Sequence, residues 1–127
     1  MDEITLTTPA KEAFVPILRS MIAAVAARLD IPYDEVDDLR LAIDEAAAHL
    51  IGLDPKGSTL WLRLAIDEDR CEVLTSIDTL PDPWPPRGLQ DSLTWQILSG
   101  LTDEAGFDQA GGKAQIRFIK RVQRVNA

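Results

Sequence analysis

A chain of 127 residues, 46% apolar and 27% charged, has the length and composition of one globular domain able to bury about two thirds of its unfolded surface. Its formal net charge of −8 repels the phosphates that dominate nucleic-acid affinity, so direct DNA or RNA binding is not expected, and no apolar run reaches the ~20 residues of a membrane span. The start MDEITLTTP lacks the basic flank and apolar block of a signal peptide, and Cys71 has no second cysteine to pair with; both point to the cytoplasm.

Ile4 and Leu6 alternate with polar neighbours, predicting a short first strand that ends at Pro9. A helix follows from about Pro16, with Ile17, Leu18, Met21, Ile22, Val25 and Leu29 recurring at three- and four-residue steps as one buried stripe. "DIPYDEVDD" is a turn with helix-start signals, Asp34 serving as the cap. The next helix, "DLRLAIDEAAAHLI", runs to about Ile51, buries Val36, Leu39, Ile43, Ala46, Ala47 and Leu50, and stops at Gly52. Asp44 on its polar side reads as a solvated residue.

Leu60, Leu62, Leu64 and Ile66 then alternate with Trp61 and Arg63, and "CEVLTSI" returns after the turn "DEDR". Ser58 to Ile77 is therefore an antiparallel hairpin. Cys71, at the start of the return strand, reads as a small buried side chain rather than a reactive thiol. "DTLPDPWPPRGLQD" carries too many prolines to pair or coil and is a loop. Trp84 within it is either an exposed recognition anchor for a partner or an aromatic that folds back over a cleft. Asp91 caps a third helix with Leu93, Thr94, Ile97, Leu98 and Leu101 on one side, while Trp61 and Trp95 read as packing residues. After Phe107, "AGG" leads into a final strand with Ala114, Ile116 and Phe118 alternating. The cluster Arg117, Lys120, Arg121 and Arg124 is a solvated strand face and tail.

This order predicts a single α+β domain over residues 1–127: a two-layer sandwich whose mixed, mostly antiparallel sheet is covered by helices on one face. The acidity favours a basic protein partner.

Taken in order, "DLRLAIDEAAAHLI", the hairpin, "SIDTL", "SLTWQILSGLTDEAGF" and "GGKAQIRFIKR" resemble the anti-sigma factors of the general-stress and sporulation type, in their divergent actinobacterial form. Members of that family are small serine-protein kinases with the Bergerat ATP-binding fold of gyrase and the sensor histidine kinases. The resemblance implies that Glu45 stands at the position of the catalytic base, and that His49, four residues on, stands where an Asn oxygen holds Mg²⁺. Asp78 matches the adenine-binding Asp, and Lys113 the position of a Thr near the base. Arg19 matches an arginine that contacts both the sigma factor and its antagonist.

Several positions depart from the family pattern. Imidazole nitrogen is a poor ligand for a hard cation. No glycine follows Asp78, and the glycine-rich lid is reduced to Gly88 among prolines that have no amides to offer a phosphate. Glu45 and His49 can also be read as a helix-surface pair, and Asp78 as a residue capping its own loop. No metal site is expected, since His49 has no second ligand spaced near it. No cofactor is expected either; ATP and Mg²⁺ enter only if the nucleotide site is retained. The chain is thus expected to be a homodimeric anti-sigma factor in transcription and stress regulation. It would sequester a sigma factor, yield to an anti-anti-sigma antagonist, and lack enzymatic activity. The alternatives are an active ATP-dependent kinase phosphorylating a serine of the antagonist, and a pseudo-enzyme in another signalling switch.

Overall fold

The alternation and periodicity of the sequence are realised as five strands and three helices in the computed structural model, which describes residues 2–53 and 57–121. Arg124 lies outside the described residues. Strand β1 (Asp2–Pro9) is followed by a 3-10 turn (Glu12–Phe14) and helices α1 (Val15–Arg28) and α2 (Tyr33–Ile51). The hairpin β2 (Thr59–Ile66) and β3 (Arg70–Ile77) comes next, and then the proline-rich loop and a second 3-10 turn (Leu89–Asp91). Helix α3 (Leu93–Leu101) and a second hairpin, β4 (Glu104–Ala110) and β5 (Lys113–Arg121), complete the order.

The sheet runs β1-β2-β3-β5-β4 and every pairing in it is antiparallel. Register aligns one row across all five strands, Leu6, Leu62, Thr75, Ile116 and Phe107. Neighbouring residues of one strand face opposite sides. Leu60, Leu62, Leu64, Val73, Ile77, Ile116 and Phe118 are thereby all turned into the core, under the helices. No helix of the described residues is long and apolar enough to cross a membrane.

Helix α2 buries Leu39, Ala42, Ile43, Ala46, Ala47 and Leu50, the expected stripe with Ala42 added and Val36 only half-covered. Its first turn begins two residues early. Pro32 is the cap, its carbonyl accepting from the amides of Glu35 and Val36 at 3.0 and 3.1 Å, so Asp34 sits inside the helix, where it favours the N-terminal dipole. In α1 the fully covered line is Leu18, Ile22 and Ala26, a four-residue ridge. Ile17 lies more than about a quarter of a turn off that ridge and remains 46% exposed.

Helix α3 is capped by Ser92 rather than Asp91: the Ser92 Oγ accepts from the Trp95 amide at 3.1 Å, while Asp91 is used by the 3-10 turn. Only Leu98 of this helix is fully buried, and Leu93, just past the cap, is 70% exposed. Strand β4 was hidden by its composition, since Ala105 and Phe107 are its only apolar core-side residues. At Gly106 a Cβ would stand 3.1 Å from Nη2 of Arg117, the mobile end of the side chain that crosses toward Asp108. The turn into β5 is made by Gly111 and Gly112 at φ 59° and 76°, a left-handed pair suited to a tight hairpin.

One cation ties the two layers together. Lys120 Nζ of β5 donates to Asp38 Oδ2 of α2 at 3.0 Å and to the Leu101 carbonyl, at the end of α3, at 3.1 Å. It satisfies an orphan carbonyl of the helix terminus and pairs with a carboxylate. Lys120→Met, which keeps the stem and removes the charge, is expected to lower the unfolding free energy by about 1 to 2 kcal/mol in urea denaturation without changing the m-value.

Candidate functional site

The polar flank of α2 beside its buried stripe carries Asp44, Glu45 and His49, and the neighbouring elements divide these three between them. Toward α1, Asp44 Oδ1 lies 3.0 Å from Nε of Arg19, and both side chains are half-exposed. Asp44 is therefore paired, not simply solvated. Burial raises its pKa, with Arg19 and then Arg40 pulling it back.

Toward α3, Glu45 and His49 meet at one hydroxyl. Thr94 Oγ1 donates to Glu45 Oε1 at 2.9 Å, and His49 Nδ1 lies 3.3 Å from the same oxygen. A threonine hydroxyl has one proton, so once that proton is given to Glu45 the imidazole must be the donor, through Nδ1–H. The arrangement is set by tertiary packing: Ser92 caps α3 and places Thr94 in its first turn, opposite residues 45 and 49 of α2. Thr94 was read from sequence only as part of an apolar side; its spacing from α2, 45 residues and more, carries no local signal.

The other side of His49 is aromatic. Its ring is 5.3 Å from that of Phe107, edge-on, and 6.0 Å from that of Trp84. Trp84 stacks on Phe107 with centroids 5.3 Å apart and planes 26° from parallel, and Trp95 meets Phe107 edge-on at 6.4 Å. Trp84 Nε1 donates to the Asp108 carbonyl at 2.7 Å, so both the apolar body and the polar tip of the indole are satisfied inside the molecule. At 8% exposure Trp84 is not the exposed anchor expected for a partner; it is folded back against α2 and β4. Phe107, unremarked in the sequence, is the centre of this cluster because the register of β4 on β5 turns it inward.

Asp78 goes elsewhere. Its Oδ1 accepts from the Thr59 amide at 3.0 Å, closing the base of the first hairpin. That bond, with smaller help from Ser58 and Lys113, lowers its pKa. Strand alternation puts it on the side of Ser76 and Leu74, away from the core-facing Thr75 and Ile77. Lys113, its charged neighbour, lies 4.1 Å above the Trp61 ring on that open face. None of the hydrogen bonds described joins Asp78 to Glu45, His49 or Thr94.

A magnesium nucleotide does not fit this set of residues. The resemblance needs positions 45 and 49 to face one bound triphosphate. Here they are bonded to one another through Thr94, position 49 offers nitrogen in place of oxygen, and the Trp84 ring stands against it. Gly88 takes a left-handed φ of 70° ahead of the short turn at Leu89, with prolines on its other side. No group of three or more metal-ligating side chains occurs among the described residues. Cys71 is buried and its thiol is pushed up to about 11, so it remains protonated and unreactive.

Burial, the larger influence, lowers the pKa of His49 below its ordinary 6.5, while the Glu45 carboxylate opposes it. The unfolded chain therefore takes up this proton before the folded one does, and stability is lost as the pH falls through 6.5. Asp78 loses its contribution only in the range below its ordinary 3.8. Urea unfolding is expected to show falling stability from about pH 7 to about pH 5.5, and His49→Asn to flatten that slope relative to the parent chain.

No protein-family model matches the chain. It is 32% identical over 76 residues to the serine-protein kinase RsbW of Halalkalibacterium halodurans, covering 59% of this chain and 47% of that protein. It is 30% identical over 101 residues to the anti-sigma-F factor RsbW of Mycobacterium tuberculosis, covering 80% of this chain and 58% of that protein. The chain thus spans about half the length of the curated relatives it matches. Its fold is that of a crystal structure of the RsbU and RsbW domains of a Mycobacterium tuberculosis protein, with a TM-score of 0.74 at 15% identity, over 98% of this chain and 33% of that one.

Proposed function

Because the chain is a relative of the RsbW-type anti-sigma factors, we propose that it is a sigma-factor-binding module, countered by an anti-anti-sigma antagonist, in which the phosphotransfer site has become a structural joint. The observation that carries this reading is the seating of His49 between Thr94 and the Trp84–Phe107 stack. A base such as Glu45 is of use in phosphoryl transfer only when a metal and a phosphate are positioned before it. Here its hydroxyl partner is a side chain of its own domain. The net charge of −8 suits masking of a basic, DNA-binding partner.

Arg19 is proposed as a partner-binding residue. Its ion pair with Asp44 uses Nε and holds the guanidinium in one orientation on the surface shared by α1 and α2. A homodimer acting in the cytoplasm is the assembly and setting proposed with it.

A relative named as a serine-protein kinase favours a second reading, an active serine kinase. Calorimetric titration with Mg-ATP, combined with labelled ATP and the antagonist, separates the two. The expected result is no saturable heat at micromolar nucleotide and no label on the antagonist. Micromolar affinity with label on a serine establishes the kinase instead.

For the binding surface, Arg19→Ala is expected to weaken sigma-factor binding about tenfold or more, while lowering stability by no more than about 1 kcal/mol, the usual worth of a half-exposed pair. A large loss of stability with unchanged affinity would mark Arg19 as purely structural.

A further inference from the structure

Helices α2 and α3 pack against each other, and a groove of about 740 Å³ lies between them. Leu41, Glu45 and Ala48 form one wall, and Ile97, Gly100 and Leu101 the other. The α2 residues recur at four and three, one helical face over about two turns, or about 10 Å of axis. Small residues give the groove its depth. A Cβ placed on Gly100 meets nothing within 4 Å, so the space above it is empty, and Leu41 is left 49% exposed at the mouth.

Beside its apolar lining the groove carries three polar side chains, Asp44, Glu45 and Gln96, and of its two acids only Glu45 has no cation beside it among the described residues. Glu45 accepts a hydrogen bond from Thr94, and among the described residues no Lys or Arg stands within ion-pair distance of it. Asp44, the other acid of the wall, is already paired with Arg19. Covering Glu45 with a wholly apolar ligand would strip water from an unpaired carboxylate, which is unfavourable. An occupant must therefore bring its own cation to this position.

We propose that the groove is a docking site for an amphipathic helix of a partner protein, with apolar side chains over Ala48 and Gly100 and a Lys or Arg against Glu45. Two helical walls whose side chains recur at ridge spacing accept a third helix, as helix-in-groove recognition does generally. The net charge of −8 draws a basic helix toward it. The proposal rests on the chain being a protein-binding module and deepens that reading by naming the surface and the chemistry of the partner segment.

The test uses the full chain and a fluorescein-labelled helical peptide of about 14 residues, with leucines at i, i+3, i+4 and i+7 and lysines elsewhere, beside a twin with glutamates for the lysines. Anisotropy is expected to show binding of the lysine peptide and little of its twin. Gly100→Leu fills the groove and leaves every charge in place. It should weaken the peptide at least about tenfold, with thermal stability unchanged or raised, since Leu is the better helix former. Glu45→Gln should weaken the lysine peptide several-fold and narrow its advantage over the twin.

Equal binding by Gly100→Leu and the parent chain overturns the proposal, because the peptide is then held by general acidity. Absence of binding to the parent chain overturns it as well. Sigma-factor affinity is measured on the same variants. A parent chain that binds no sigma factor but discriminates the peptides defeats the anti-sigma reading and leaves the groove standing. Sigma-factor binding that is unchanged in Gly100→Leu, together with unchanged peptide binding, defeats the groove alone.

Discussion

The packing of α2 is the constraint on which the rest of the molecule depends. This helix lies over β3 and β5 and touches α1 on one side and α3 on the other. Leu39, Ile43 and Leu50 supply its bulk, while Ala42, Ala46 and Ala47 allow the backbone to approach its neighbours closely. With the stripe fixed against the sheet, the remaining side chains have no choice of direction: Asp44 must turn to α1, and Glu45 and His49 to α3 and the aromatic loop. The ion pair with Arg19 and the hydroxyl shared through Thr94 are consequences of that orientation.

The layout was legible where burial imposes a period. The stripe of α2, the first hairpin and the separation of the proline loop from its neighbours are all written in local alternation of apolar and polar residues. The cap of α3 shifted by one residue because Asp and Ser side by side at 91 and 92 are both acceptable caps, and the choice between them falls to the preceding turn. Strand β4 was less visible, since "EAGFDQA" pairs only with β5 and shows one large apolar residue.

The candidate site was legible as residues but not as contacts. Glu45 and His49 share a helix face by spacing alone, and the structure keeps them together. Their link is Thr94, and their cover is Trp84 and Phe107, all of which arrive from distant segments. The proline loop made Trp84 rigid without telling which way it points; the Asp108 carbonyl and the Phe107 ring decide that. Asp78 shows the reverse case: in the order of motifs it belongs with Glu45, but strand alternation sends it to the opposite face of the sheet, where it serves the hairpin instead.

The division of labour along α2 has an evolutionary consequence. The side chains that seat this helix on the sheet are different residues from Glu45 and His49, which join it to α3 and the aromatic loop. Replacement at position 45 or 49 therefore leaves the stripe against the sheet filled, so the chemistry of this flank can change without emptying the α2 core. A fold built in this manner is free to trade reactivity for recognition one residue at a time.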